Sequence, residues 1–427
     1  MKNPKIYISV SSIIIISILA FFLIHNHHTD SKADNNIAND SVSIKVKATA
    51  PDTNFYRAVF EDTSGSASDY NSISSLAELG TDKNAGYSSN EFGNARRINI
   101  AVIGLDTRLG SNAGHADANH IFSIMPDIGK IEIISIPRDT YVDCGYDDTT
   151  HLNKLTVFYL ARGRQEYLKQ IAAISHLNKI DYYVEFGFSQ AMAILRFLGY
   201  DSKETLQILR SRRGFAIGDY QRVYNQAQFM RQAVSKYFNT VNGPLRPVII
   251  NGLFGLVRTN LNYSTACNIL DQLKQSNFSS NPNNITIKIR PSLKTDFKIF
   301  DFSDPATIAK LDKKIEHLSD DYSDTTHKIN NIDGYVYNKL RRAVISAESD
   351  TAKNPSRAIS KVVGFYEQKA WHQISDDTKR NELRDRIANV LIVSYKKKNN
   401  LSKADAIANA IAQEKKLFGI KLDNNNQ

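Results

Sequence analysis

Three apolar runs, each stopped by charged residues, constrain this chain more than any other feature. Residues 98–105 form a β-branched, proline-free run closed by Asp106-Thr107-Arg108-Leu109-Gly110. A second acid, Asp117, follows a glycine-containing loop. Two more apolar runs come at 121–125 and 131–136, and the last stops at Pro137-Arg138-Asp139-Thr140. Runs of this kind read as buried strands. Reactive side chains gather where such strands end, because the loops there converge on one crevice. The polar residues so placed are two carboxylates and a guanidinium, not a Ser/His/Asp set.

The chain beyond Thr140 keeps the pattern. Residues 152–176 carry apolar side chains at helical spacing, 182–188 reads as a strand, and Ser189 opens a helix through Leu198 that Gly199 closes. Strand, turn and helix in alternation predict an α/β layered sheet with helices packed on it. Asp219 falls where a further helix starts, with Arg222 and Gln226 following at i+3 and i+7 on one face. Arg210 and Arg212, two apart, face the same way if their segment is extended, and Arg213 adjoins them. Guanidiniums converging with two carboxylates describe a diphosphate site: each Arg offers a bidentate fork, and Mg²⁺ reconciles the acids with the polyanion. Phosphoryl transfer in such a site needs positioning and charge stabilisation rather than a protein nucleophile. Plainer roles stand beside these. Asp219 also suits a helix N-cap, worth about 1 kcal/mol, Asp106 a turn cap, and Arg212 and Arg213 a solvated surface.

At 427 residues the chain is long enough for a main core and an appendage, and its net charge of +10 favours an anionic partner. The N-terminus narrows the choice. Residues 6–24 are nineteen uncharged residues preceded by Lys2 and Lys5, close to the ~20 needed to cross a bilayer and longer than a signal-peptide core. The expectation is an uncleaved single-pass anchor in the cytoplasmic membrane, N-terminus inside and bulk outside, with no nucleic-acid role. A cleaved signal is the alternative, although no small-x-small pattern closes the segment. His25, His27 and His28 read as linker rather than metal ligands. Residues 25–95, rich in Asn, Ser, Asp and Ala, read as a flexible extracytoplasmic linker with room for a strand or a short helix. Cys144 and Cys267 leave a disulfide and two buried thiols equally open.

Gly104-Leu105-Asp106-Thr107-Arg108, Asp117 with its following strand, and Ser135-Ile136-Pro137-Arg138-Asp139-Thr140-Tyr141 resemble the LytR-CpsA-Psr (LCP) family of cell-envelope enzymes. The likeness continues through Leu152-Asn153, Asp181-Tyr182-Tyr183-Val184, Phe188, Leu198-Gly199, Arg210-Ser211-Arg212, Asp219 with Arg222, and Thr259-Asn260-Leu261. It implies an α/β/α sandwich with a central mixed sheet over 96–295, and a groove for a polyprenyl chain. The implied activity moves a glycopolymer from a polyprenyl-diphosphate carrier to peptidoglycan or another envelope polymer, with diphosphate hydrolysis in some members. By resemblance, Asp106 and Asp117 hold Mg²⁺, and Arg108, Arg138, Arg210, Arg212 and Arg222 grip the diphosphate with Gln226 beside them. Arg138, Asp219 and Arg222 are the catalytic candidates; Arg108 and Asp219 support the site or serve as base. Phe188, Ala191, Ile194, Leu195 and Leu198 suit either the lipid groove or core packing.

Three departures weaken the cationic set: His115-Ala116 replaces the usual Arg-Ser before the second acid, His151 replaces a basic residue, and Asn225 replaces the second Arg of Arg-x-x-Arg-Gln. The segment from Gly199 to Arg210 is short for the family. These changes favour the runner-up reading, a non-catalytic envelope scaffold or regulator that binds polyprenyl phosphate or glycan. Residues 296–427 read as a mostly helical C-terminal appendage. Helices are predicted from Ser303-Asp304-Pro305, from Ser375 to about Lys398, and from a Ser402-x-x-Asp405 capping box through Leu417, with a disordered end beyond.

Overall fold

The computed structural model describes residues 78–86, 92–111, 114–212, 215, 217–278, 282–320 and 332–420. The anchor at 6–24, the histidine cluster, most of the linker, Arg213 and the end of the tail lie outside them. Among the described residues no helix is long and apolar enough to cross a membrane.

The centre is a mixed six-stranded sheet. Its strands are β2 (Ile98–Thr107), β3 (Gly114–Met125), β4 (Lys130–Ser135), β5 (Tyr182–Gly187), β6 (Arg258–Thr259) and β7 (Ile285–Ile289), in the order β6-β5-β2-β3-β4-β7. β2 runs antiparallel to β3 and parallel to β5, and β4 runs antiparallel to β3 and parallel to β7. Both faces are covered, which is why β2 reads as a continuous apolar run. Ile100 and Val102 pack into one layer with Val223, Tyr224 and Phe238; Ala101 and Ile103 pack into the other with Leu155, Phe158 and Ile171. α1 (Leu155–Ile174) covers the second face. α2 (Phe188–Phe197), α4 (Asp219–Val241), α5 (Arg246–Phe254) and α6 (Tyr263–Gln275) cover the first, and α3 (Ser202–Arg210) lies against α2 and α4. The expected α/β/α layering is present.

The packed body begins inside the stretch read as linker. β1 (Glu78–Asp82) pairs antiparallel with β8 (Phe297–Phe300), on the far side of the expected boundary at 295. Glutamines of α4 fix this small sheet in place: Gln221 exchanges two hydrogen bonds with the Lys298 backbone, at 2.8 and 3.0 Å, and Gln232 bonds Phe300 O and Phe302 N. α7 (Pro305–Asp320) follows, capped by Asp304, and buries Ile308 and Leu311 with α3.

Residues 332–418 are helical: α8 (Ile332–Asp350), α9 (Pro355–Glu367), α10 (Asp377–Lys397) and α11 (Leu401–Phe418), packed around a fully buried Trp371. Asp376 caps α10 through Lys379 N. The capping box at Ser402 is not formed. Asn400 reaches Lys403 N first, at 3.1 Å, so α11 starts ahead of Ser402. α11 docks on α5 so closely that a Cβ at Gly252 would stand 2.5 Å from Leu417 Cβ. Cys144 and Cys267 are both free thiols.

Candidate active site

The charged residues meet at the ends of the central strands. Asp106 is the penultimate residue of β2. Asp117 owes its place to a bulge: Gly104 opposes Ala118 and Leu105 opposes Ala116, leaving Asp117 as the extra residue of β3. Bulges re-aim side chains beside functional sites, and here the strict alternation of the strand is broken at an acid. Arg138, just after β4, bonds Asp117 Oδ2 through Nη1 at 2.7 Å, while Thr156 Oγ1 donates to Asp117 Oδ1 at 3.0 Å.

α4 presents its first turn to the same point. Gly218, not Asp219, is the N-cap, and Asp219 Oδ2 instead accepts the backbone N–H of Arg138 at 3.0 Å. Arg222 stands one turn on, 2.5 Å from Asp219 Oδ1, and its Nη2 donates to the Asp117 carbonyl at 3.2 Å. Asp219 and Arg222 are both deeply buried. Burial pushes the Asp219 carboxyl up against the pull of Arg222, and pushes the Arg222 guanidinium down against the pull of Asp219. At Arg138 burial also opposes the charge, but Asp117, Asp139 and Asp219 outweigh it and hold the guanidinium above its ordinary value.

Arg210 arrives differently from the extended segment expected. It ends α3, which Asp201 caps, and from there lies over the Phe188 ring at 5.0 Å with Asp106 Oδ1 at 3.7 Å. Arg212 turns to Asp139, at 3.0 Å. Arg108 is exposed and does not line the cavity described below. Of the substituted positions, His115 is exposed opposite Asp106 in the ladder, and His151 is exposed. Asn225 is buried against Gln221 at 2.8 Å rather than facing the site.

An apolar cavity of about 170 Å³ opens beside these charges. All five residues singled out on α2, Phe188, Ala191, Ile194, Leu195 and Leu198, are in its wall, joined by Phe229 and Met230 of α4. Its polar lining is Asp106, Asp117, His120, Arg210, Arg222 and Gln226. Asp106 and Arg210 are about half exposed, at 53% and 49% of their side chains, so they mark its opening to solvent. His120 sits deeper, bonded to Ser135 Oγ at 2.7 Å and Gln226 Oε1 at 3.0 Å. Burial lowers its pKa to about 4, against the bond from Gln226 and helped by Arg222. Sequence reasoning did not select His120, Thr156 or Asp139. His120 sits just ahead of the apolar run at 121–125 and carried no signal; Asp139 stood in the quoted Pro-Arg-Asp-Thr motif without a role.

The carboxylates Asp106, Asp117, Asp139 and Asp219 match the guanidiniums Arg138, Arg210, Arg212 and Arg222 one for one. A diphosphate entering this set alone would leave it net negative, and a divalent cation would restore the balance. Among the described residues no group of three or more His, Cys, Asp or Glu side chains could hold a metal by itself. Two carboxylates beside a set of guanidiniums nonetheless suit Mg²⁺, which takes one or two protein carboxylates and completes its shell with phosphate oxygens and water. Nε of Arg138 and of Arg222 are buried without a hydrogen-bond partner, donors that an anion can satisfy after small rearrangement.

Strand-end carboxylates and guanidiniums thus stand at the mouth of an apolar cavity in an α/β domain. Residues 64–195 match the sequence profile of the LytR_cpsA_psr family. The chain is 25% identical over 215 residues to the polyisoprenyl-teichoic acid–peptidoglycan teichoic acid transferase TagU of Oceanobacillus iheyensis, a match covering 44% of this chain and 65% of that protein. Among solved structures, B. subtilis TagV aligns with a TM-score of 0.38 and 20% identity over 54% of this chain and 99% of that one. A Streptococcus agalactiae protein aligns with a TM-score of 0.38 and 16% identity over 55% and 91%. Through residues 64–195 and the TagU relative, the α/β domain is similar to the LytR-CpsA-Psr family.

Proposed function

We propose that this protein is a membrane-anchored phosphotransferase that moves a glycopolymer from a polyprenyl-diphosphate carrier to peptidoglycan, with residues 6–24 as the anchor. The observation that carries the reading is the apolar cavity with Asp106, Asp117, Arg210 and Arg222 in its wall. An isoprenoid tail fits the apolar part, and its diphosphate then falls among the guanidiniums. The relative TagU, named for transfer from a polyisoprenyl carrier to peptidoglycan, supports the same substrate class.

Asp106 and Asp117 would hold Mg²⁺, whose chemistry is to neutralise phosphate oxygens as charge shifts to the leaving group. Arg138, Arg210 and Arg222 supply the remaining positive charge, fixed in advance by Asp117, Asp106 and Asp219. Asp219 is occupied by the Arg138 backbone N–H and by the Arg222 guanidinium, so its part is to hold the Arg222 guanidinium and the backbone at Arg138 in place rather than to take a proton. Arg212, tied to Asp139, extends the cationic rim. The attacking group is a hydroxyl of the acceptor glycan: its oxygen bonds to the glycan-bearing phosphorus, the bridging P–O bond of the diphosphate breaks, polyprenyl monophosphate leaves, and the hydroxyl proton passes to solvent. With water in its place the same site acts as a pyrophosphatase.

One observation favours the scaffold reading: both oxygens of Asp117 are engaged, by Arg138 and Thr156. A metal displacing one of these partners separates the two. Incubating the full chain in detergent with a polyprenyl-diphosphate-linked glycan and peptidoglycan should yield glycan joined to peptidoglycan by a phosphodiester. Tight capture of the lipid-linked glycan with no such product would instead establish the binder.

A further inference from the structure

The turn that follows Asp106 is gripped from outside its own domain. Gln368, just past α9, is buried at 9% exposure. Its Oε1 accepts Gly110 N–H at 2.7 Å, and its Nε2 donates to Arg108 O at 2.8 Å and Ser111 O at 2.5 Å, with Thr107 Oγ1 at 3.4 Å. Lys339 Nζ of α8 donates to Leu109 O at 3.2 Å, and the Leu109 side chain packs on the helical core. α9 approaches so closely that a Cβ at Gly364 would stand 2.7 Å from Gly110 O. The turn's own contribution is a Ser111 N–H to Arg108 O bond at 2.8 Å.

The same stretch of chain holds the cavity wall. Gln190 Nε2 donates to Glu367 O at 3.1 Å, Gln373 Nε2 to Ser189 Oγ at 2.8 Å, and Arg196 Nη2 to His372 O at 3.0 Å. These are residues of α2, whose other side lines the cavity. Behind them Trp371 and His372 are locked by the buried Glu414 of α11, at 2.9 and 3.1 Å. Residues 367–373 therefore fasten the acidic turn and the cavity helix to one frame. A buried amide whose shortest bonds all go to backbone groups of another segment fixes that segment; cut it, and those groups are left to find water.

We propose that Gln368 is a positioning residue of the active site, through which the helical region sets where the Asp106 carboxylate stands relative to the cavity. Its kinetic readout rests on the function proposed above; its structural readout does not. A misplacement of about 1 Å in such a constellation costs on the order of 100-fold in rate, so a single amide can matter to turnover without touching substrate.

The test uses the full chain in detergent. Gln368→Met keeps the length of the side chain and removes its hydrogen bonds; Leu391→Ala removes apolar packing from the helical core away from the turn. Amide exchange at Gly110 is measured, with phosphate release from geranylgeranyl diphosphate across a Mg²⁺ titration. Gln368→Met should speed Gly110 exchange and raise the Mg²⁺ requirement by about tenfold or more, in line with the geometric sensitivity above. Leu391→Ala should lower Tm and leave that requirement unchanged. Wild-type exchange and Mg²⁺ requirement in Gln368→Met, or an equal rise in Leu391→Ala, would overturn the proposal. Should the wild type release no phosphate, the function reading falls, and Gly110 exchange decides the positioning by itself: faster in Gln368→Met supports it, unchanged refutes it.

Discussion

Replacing Arg138 by alanine probes how the site stores charge. Its guanidinium is 21% exposed, pairs with Asp117 at 2.7 Å and stands 4.0 Å from Asp139, and its backbone N–H holds Asp219. Arg138→Ala leaves that backbone bond in place and removes the cation, so Asp117 and Asp139 face each other's charge with less to offset it. Asp219, already raised by burial, loses one of the groups that lower it and rises further. Loss of one preorganised donor costs roughly 10²–10³-fold in turnover, about 3–4 kcal/mol. Arg138→Lys should fall between, keeping a charge but losing the fork that spans Asp117 and the substrate. Phosphate release from a polyprenyl diphosphate, with lipid binding followed in parallel, separates turnover from capture. Arg138→Ala within about twofold of wild type would refute the electrostatic role.

His120 makes stability depend on pH. Its folded pKa, about 4, lies below the ordinary 6.5, so the neutral ring's contribution is complete above pH 6.5 and is lost as pH falls through 4. The full effect is about 3 kcal/mol, and a chemical-denaturation series from pH 7 to 4 should show a shallower decline in His120→Gln. An equal decline in both proteins would remove His120 as the cause. Ala191→Trp places a large ring in the cavity wall. It should weaken binding of a fluorescent isoprenoid at least about tenfold, the loss of roughly 1.4 kcal/mol of tail burial, while inorganic pyrophosphate binding stays within about twofold. Weakening of both to the same degree would show that the cavity does not hold the tail.

Local signals carried far. β2 was legible from an apolar, β-branched run, β5 from its Tyr-Tyr-Val and Phe residues, α4 from Asp219, and α7 from Asp304 and Pro305, because each depends on residues a few positions apart. The acids and guanidiniums were legible as a set, since strand ends and motif order pointed to one crevice. Their individual environments were not. The bulge that turns out Asp117 depends on how β2 and β3 slip past each other, and the helical end of α3 that carries Arg210 overrode an extended reading. The β1–β8 pair joins residues some two hundred positions apart, and the grip of Gln368 on the 107–111 turn spans 258 positions at Gly110. No local pattern announces contacts of that kind. The substitutions at His115 and His151 fall on exposed positions and Asn225 on a buried one within α4, and none of them touches the pairs formed by Arg138 and Arg222.

The most direct test of the central claim is phosphate release from a polyprenyl diphosphate by the full-length protein in detergent, with and without Mg²⁺, beside an Asp106→Ala/Asp117→Ala double variant. The account predicts release that requires Mg²⁺ and is lost in the variant, with lipid binding retained. Release that ignores both the metal and the two carboxylates, or lipid binding without any release, would contradict it.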